Sequence, residues 1–224
     1  MAKKSFNLFP AFYFSLLLLT FSQLCSSHDT DNDYEYEPED FSSDDDFYVD
    51  EYSENRVFFT IEALLGGKTL EHVTFDNGET DSIHAGSGVY FALGAAHLMF
   101  DKRLDVGIKG GILFDAVTAE NTTGDKSILS FTRYPIDIFS HAWIGRHIIG
   151  GGISYHLDPT FTSDRTNHSA DYNDALGVYA EYLYHFTGTG TALGLKYLMI
   201  KYKNKDSGEI ANGNGLGITF NQMF

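Results

Sequence analysis

The residues of this chain with the clearest potential for chemistry are histidines close to a serine or a carboxylate. His168 is followed directly by Ser169, and His156 lies two positions before Asp158. A histidine can activate a serine hydroxyl as a nucleophile, but such a site also needs an acid that orients the histidine and donors for the oxyanion. No fixed spacing identifies either group here. The sequence therefore favours a protein that is not an enzyme, and we assign no catalytic residue.

The same region gathers side chains that could bind a metal ion. The nitrogen and oxygen ligands in question are His156, Asp158, Asp164, His168, Asp171 and Asp174. Their spacing matches no usual ligand pattern, and a solvated polar loop explains them equally well. We therefore predict no metal ligand and no cofactor.

A second set of charged residues lies in segments where apolar and polar residues alternate. A period of two is what a two-faced strand produces and a helix cannot. On the face opposite to the apolar stripe, four acids are balanced by four bases. An eight-stranded barrel is just wide enough to be filled by side chains, so we expect these charges to form a salt-bridge network that plugs the lumen. A narrow ion path or a switchable gate is the alternative. The eight predicted lumen residues are Glu62, Asp105, Lys109, Arg133, Asp137, Arg146, Glu181 and Lys196.

The elements that would position these charges are eight strands of one antiparallel barrel. After the first segment no run of about 18 apolar residues occurs, so a membrane would have to be crossed by strands. The fold class predicted for residues 55–224 is all-β, an eight-stranded antiparallel transmembrane β-barrel. The predicted strands are 56–66, 87–100, 103–114, 126–139, 142–156, 174–186, 191–203 and 214–224.

The connections between these strands are alternately long and short. The short ones are predicted at Asp101–Lys102, Ser140–His141 and 187–190. Outer-membrane barrels have short periplasmic turns and longer external loops, so we expect both termini to be periplasmic. Aromatic residues near the strand ends, among them Trp143 and Tyr202, are predicted to form girdles at the membrane interfaces.

Two N-terminal segments precede the predicted barrel. Residues 1–27 read as a signal peptide, because Lys3 and Lys4 come before an apolar stretch at 12–21. Residues 28–54 hold 13 of the 31 acids of this chain, whose net charge is −16, and no lysine or arginine. Such a concentrated charge predicts a disordered acidic periplasmic arm.

The acidic arm has two possible uses. It is either a solvated spacer or a segment that binds a basic periplasmic protein or divalent cations through its carboxylates. Nucleic acid is not expected as a partner, because the acidic segment would repel its phosphates.

Residues 56–224 resemble the small outer-membrane β-barrel superfamily that includes the OmpA membrane domain, OmpX, OmpW and the opacity adhesins. The ending LGITFNQMF looks like the assembly signal of that superfamily, a terminal phenylalanine with apolar residues at alternate positions. The resemblance implies location in the bacterial outer membrane, contact with outer-membrane lipid and lipopolysaccharide, and insertion by the barrel assembly machinery. The residues that carry the signal are Leu216, Ile218, Phe220 and Phe224.

Members of that superfamily include anchors, adhesins, small pores and a few lipid A enzymes, so the resemblance does not assign a function. Polar loops on a rigid scaffold are positioned to meet other surfaces. We therefore expect a non-enzymatic integral outer-membrane protein with a structural or surface-interaction role. A narrow pore for ions or small solutes is the alternative, and a lipid A-modifying enzyme is a further one.

Overall fold

The structure is a computed structural model that describes residues 54–74, 80–120, 126–164 and 168–224. The predicted signal peptide and residues 28–53 of the predicted acidic arm lie outside the described residues. Within the four ranges, no helix has the length and hydropathy needed to cross a membrane.

The regular structure in these ranges consists of β-strands, eight of which form a barrel while five short ones extend its rim. The strands are β1 (Asn55–Leu65), β2 (Thr69–Thr74), β3 (Thr80–His84), β4 (Gly88–Met99), β5 (Leu104–Glu120), β6 (Lys126–Ile144), β7 (His147–Ser163), β8 (His168–Asp171), β9 (Ala175–Phe186), β10 (Thr191–Met199), β11 (Lys201–Lys203), β12 (Ile210–Asn212) and β13 (Gly215–Met223).

Eight strands close into an antiparallel barrel in the order β1, β4, β5, β6, β7, β9, β10 and β13. The last strand returns to the first, so that Glu62 of β1 lies opposite Thr219 of β13. The sheet therefore has no free edge around the barrel, which is the condition for a sheet to lie in hydrocarbon. The predicted fold class, an eight-stranded antiparallel barrel, is confirmed.

The two ends of the barrel differ in their connections. At one end, here called the turn end, tight turns at 100–103, 145–146 and 187–190 join neighbouring strands. The backbone N–H of Phe224 donates to the carbonyl of Val57 at this end over 2.9 Å. At the opposite end, here called the loop end, the longer connections carry the β2–β3 hairpin, β8 and the β11–β12 ladder.

The alternation of side chains gives the wall two chemically opposite faces. In β1, Thr60 and Glu62 are buried inside, whereas Val57 and Leu65 are exposed outside. In β9 the outward face carries Leu176 and further apolar residues. The inside also buries apolar side chains such as Phe58, but a soluble sandwich does not bury charges beneath an aliphatic outer face, so the exterior differs from a soluble one. The outward aliphatic residues that are more than a third exposed include Ile108, Ile112, Ile136, Ile138, Ile149, Ile153, Val178, Leu193, Leu195, Leu216 and Ile218.

The predicted turn at Ser140–His141 is wrong, because β6 continues to Ile144 and the chain turns at Gly145–Arg146. Gly145 adopts a φ of +60°, which glycine tolerates without steric cost. The strand keeps its alternation through the predicted turn, so Trp143 points into the lumen and is buried. Tyr202 is also fully buried, so neither ring belongs to an interfacial girdle.

Candidate functional site: the polar lumen

The centre of the lumen holds four buried charges from four different strands. Glu62 accepts hydrogen bonds from two lysines: the distance from Lys109 Nζ to Glu62 Oε1 is 2.7 Å, and from Lys196 Nζ to Glu62 Oε2 it is 2.9 Å. Lys196 also lies 3.3 Å from Asp137 Oδ2, and Lys109 lies 3.9 Å from the same atom. Glu62, Lys109, Asp137 and Lys196, here called the central cluster, are therefore two acids and two bases whose formal charges cancel.

Two tyrosine rings enclose the lysines of the central cluster. Lys196 Nζ lies 4.0 Å from the ring centroid of Tyr179 and 5.6 Å from that of Tyr90, and Lys109 lies 5.5 Å from the Tyr179 ring. The face of an aromatic ring attracts a cation, most strongly where water is excluded. The rings thus add to the stabilisation of two buried ammonium groups that already have carboxylate partners.

A second charged group, here called the turn-end cluster, lies closer to the turn end. The imidazole of His141 connects two acids: its Nδ1 is 2.9 Å from Asp105 Oδ1 and its Nε2 is 2.7 Å from Glu181 Oε1. Asp105 also pairs with Arg56 and accepts a hydrogen bond from the Trp143 indole over 2.9 Å. The turn-end cluster therefore links four strands across the lumen.

The loop-end half of the lumen contains several aromatic rings and neutral hydrogen bonds. The ring of Phe131 meets those of Tyr172 and Tyr202 edge-on, at centroid distances of 5.6 and 5.4 Å. The Tyr202 hydroxyl is 2.8 Å from His156 Nδ1, and His156 Nε2 is 3.0 Å from the hydroxyl of Ser154. Ser154 in turn donates to Asp137, so this aromatic half is connected to the central cluster.

Inward side chains border a small cavity in the lumen. A cavity of about 20 Å³, bordered by Arg56, Asp105 and His141, lies near the turn end. Such a volume holds about one water molecule. Glycines leave room for the inward rings, because a Cβ on Gly94 would overlap the ring of Phe58 and one on Gly150 would overlap that of His141.

Seven of the eight residues predicted for the lumen are buried inside it, and the structure brings six of them into the two charged clusters. Arg133 is buried but donates to the backbone carbonyls of Ala85 and Ser87, at 2.7 and 2.6 Å. Arg146 is exposed at the turn between β6 and β7, so its predicted lumen position is wrong. The cause is the misplaced turn, which put this residue inside a strand.

Other residues of the lumen site were not predicted from the sequence. Arg56 lies six residues before Glu62 on the same inward face of β1, so the alternation within the predicted strand could have identified it. His141 required the correct turn, since its inward direction follows only when β6 is continuous. Tyr90 and Tyr179 are inward by parity, but nothing in the sequence indicates that both rings face the same lysines.

The candidate catalytic pair of His156 and Asp158 does not form a site. His156 is buried and bonded to Ser154 and Tyr202, whereas the backbone N–H of Asp158 donates to Asp174 over 3.0 Å at the loop end. That bond is the main cause that holds the pKa of Asp174 below its ordinary value. The Ser154 hydroxyl donates its hydrogen bond to Asp137 and not to His156, so this histidine does not activate the Ser154 hydroxyl. The side chain of His168 lies outside the described part of the structure.

No metal site was found in the parts of the chain that the structure describes, where no group of three or more histidine, cysteine or acidic side chains is arranged to hold an ion.

The predicted assembly residues Leu216, Ile218, Phe220 and Phe224 lie on or next to β13, on its outward face.

Comparison with solved structures finds barrels of similar architecture. One is Ail, the attachment invasion locus protein of Yersinia pestis, in complex with the heparin analogue sucrose octasulfate, with a TM-score of 0.47 and 10% identity over 76% of this chain and 97% of that one. A further crystal structure of Ail has a TM-score of 0.44 and 12% identity over the same shares. These likenesses concern the fold alone. No family model and no curated protein matches the sequence.

Proposed function

We propose that this protein is an integral outer-membrane barrel whose lumen is closed by its ion pairs, and that it serves as a non-enzymatic structural or surface-interaction protein. The observation that carries the proposal is the reversed polarity of the wall. Buried, paired charges such as Glu62 and Lys196 fill the inside, while aliphatic side chains such as Ile108 are exposed outside. A bilayer is the solvent in which such an exterior is favourable.

Insertion can be tested by refolding the full chain into phospholipid vesicles. An inserted barrel should resist protease across its strands and migrate differently on gels before and after heating. A protein that stays in the aqueous phase, or that is digested completely, would contradict the proposal. Vesicles added after heat denaturation of the protein provide the control for nonspecific adsorption.

The orientation of the barrel is a further part of the proposal. Short turns are typical of the periplasmic side and longer connections of the external side, so the turn end and both termini are assigned to the periplasm. A cysteine introduced at Ser207, exposed at the loop end, should react with an impermeant thiol reagent on intact cells. One introduced at Gly188, exposed at the turn end, should not. If Gly188→Cys is labelled and Ser207→Cys is not, the assigned orientation is reversed.

The loop end would then be the surface presented to lipopolysaccharide or to other cells. Its short strands are tied to one another, since Lys68 pairs with Glu209 and the backbone N–H of Lys205 donates to the carbonyl of Asp171 over 2.8 Å. Connections fixed in this way offer a defined surface, which suits binding. The partners during biogenesis would be the barrel assembly machinery, with the outward residues of β13 as the signal. A partner for the acidic arm, a basic periplasmic protein or divalent cations, remains part of this proposal.

A narrow pore for ions or small solutes is the second candidate function. It is favoured by the polar centre of the interior, where Lys109 and Asp137 lie opposite one another and Asp105 lies nearer the turn end. The small volume of the cavity and the rings over the lysines favour closure. Swelling of vesicles that contain the protein in small sugars would support the pore, and the absence of swelling would support the plug.

A further inference from the structure

Four polar side chains form a cluster on the outer wall near the turn end. Arg146 and His147 come from the turn and first residue of β7, and Tyr182 and Tyr184 come from the neighbouring β9. His147 Nδ1 is 2.7 Å from the Tyr182 hydroxyl, and Arg146 donates to the Tyr184 hydroxyl over 3.4 Å. These four residues are here called the headgroup patch.

The headgroup patch is held in place by its own contacts. The ring of His147 stacks on that of Tyr182 at a centroid distance of 5.9 Å and meets the ring of Tyr184 edge-on at 5.6 Å. The backbone carbonyl of Arg146 accepts a hydrogen bond from the N–H of His185 over 2.8 Å, which ties the turn to β9. A ligand would therefore meet groups that are already arranged, which lowers the entropy lost on binding.

The headgroup patch is positively charged, which favours an anionic ligand. Arg146 is a permanent cation, and its hydrogen bond is to a neutral hydroxyl. No acid occurs among the outward-facing residues in the turn-end halves of the three surrounding strands, β6, β7 and β9. Those residues are Ile138, Ser140, Ala142, Ile144, Ile149, Gly151, Ile153, Ala180 and Phe186.

Apolar surface flanks the headgroup patch. Ile144, Ile149 and Phe186 are exposed beside it, with between two fifths and two thirds of each residue accessible. A cation and hydroxyl donors at the end of an apolar wall fit a molecule that carries a phosphate on acyl chains. Arginine suits phosphate oxygens because its N–H groups match them in pairs.

We propose that the headgroup patch binds the phosphodiester of an anionic phospholipid of the phosphatidylglycerol class in the periplasmic leaflet. Arg146 donates to the phosphate oxygens, the Tyr184 hydroxyl donates to the same group, and Ile144 and Ile149 contact the acyl chains. A glycerol headgroup leaves the phosphate charge uncompensated, whereas the ammonium of phosphatidylethanolamine neutralises it within the lipid. The choice of leaflet rests on the proposed orientation.

The test uses the full barrel refolded into vesicles that contain equal amounts of phosphatidylethanolamine and phosphatidylglycerol, then extracted in mild detergent. Mass spectrometry of the intact protein counts the lipids that stay bound. We expect the wild type to retain phosphatidylglycerol in preference, and Arg146→Gln to lower that preference about fivefold, which is what one basic residue near an anionic surface is worth. Tyr184→Phe should lower it less. Arg103→Gln, which removes an exposed arginine from another turn at the same end, is the matched control and should leave it unchanged.

The outcomes separate the lipid site from the proposed function. A barrel that inserts but retains both lipids equally, or loses the preference as much with Arg103→Gln as with Arg146→Gln, overturns the lipid site and leaves the membrane barrel intact. Stronger retention of lipid A than of phosphatidylglycerol in a parallel preparation also overturns it. A chain that does not insert at all overturns both proposals.

Discussion

The inner and outer faces of the barrel wall obey the same alternation of residues but depend on opposite physical terms. Inside, Glu62 and Asp137 are fully buried and form ion pairs with two lysines. Outside, residues such as Ile108 are exposed, and in the proposed membrane location they gain stability only from the apolar lipid around them. A change inside therefore removes the partner of a particular group, whereas a change outside alters only the transfer of one side chain into lipid.

The largest effect is expected inside, at Glu62. Glu62→Ala leaves Lys109 and Lys196 with Asp137 as their remaining partner in the central cluster, and should lower the free energy of unfolding by about 3 to 5 kcal/mol. The measurement is urea unfolding in lipid vesicles, followed by the fluorescence of Trp143, the only tryptophan. The double variant Glu62→Leu with Lys196→Met removes both partners and should lose much less than the sum of the single changes. Additive losses would show that the two residues are not coupled.

The next largest effect is expected outside, at Ile108. An arginine at this position would enter the hydrocarbon near mid-height and should destabilise the barrel by about 2 to 4 kcal/mol. Ile144→Arg is the matched control, because Ile144 ends β6 at the turn end, where arginine costs about 0 to 1 kcal/mol. Equal losses at the two positions would contradict the assignment of an apolar band to the middle of the wall.

How much of this could be predicted from the sequence depends on what each feature rests on. Alternation alone assigned the outward Val178 and the inward Glu181, because parity within one strand is a local property. The positions of Trp143 and Arg146 depended on where a turn falls, and one misplaced turn changed both. The Tyr202–His156 bond could not be predicted, because it joins residues of different strands whose relative register is set by the closed sheet.

A smaller effect is expected from that bond. Tyr202→Phe leaves the buried Nδ1 of His156 without its hydroxyl partner and should cost about 1 to 3 kcal/mol. The outward tyrosine Tyr155, whose hydroxyl donates to the exposed Asp174 over 3.1 Å, provides the comparison. Tyr155→Phe should leave the unfolding midpoint unchanged within error, since water replaces an exposed bond. Equal shifts for the two variants would remove the distinction between inner and outer faces.

The smallest effect is expected for the exposed pair of Lys68 and Glu209 at the loop end. Lys68 holds the pKa of Glu209 below its ordinary value, so any stabilisation from the pair is present at neutral pH and is lost as the pH falls through the lowered value. Solvent screens such a pair. Glu209→Gln should therefore not shift the unfolding midpoint measurably at neutral pH. A loss as large as that of Glu62→Ala would contradict the contrast between buried and exposed ion pairs.

Conductance across a planar lipid bilayer tests most directly the claim that the lumen is closed by its own side chains. The wild-type barrel, inserted at low density, should give no discrete current steps, because the central cluster and the rings of Tyr90 and Tyr179 occupy the path. A variant with Glu62→Gly and Lys196→Gly, which removes the plug at its centre, should give steps under the same conditions. Discrete steps from the wild type, as large as those of the variant, would contradict a plugged lumen and establish a pore.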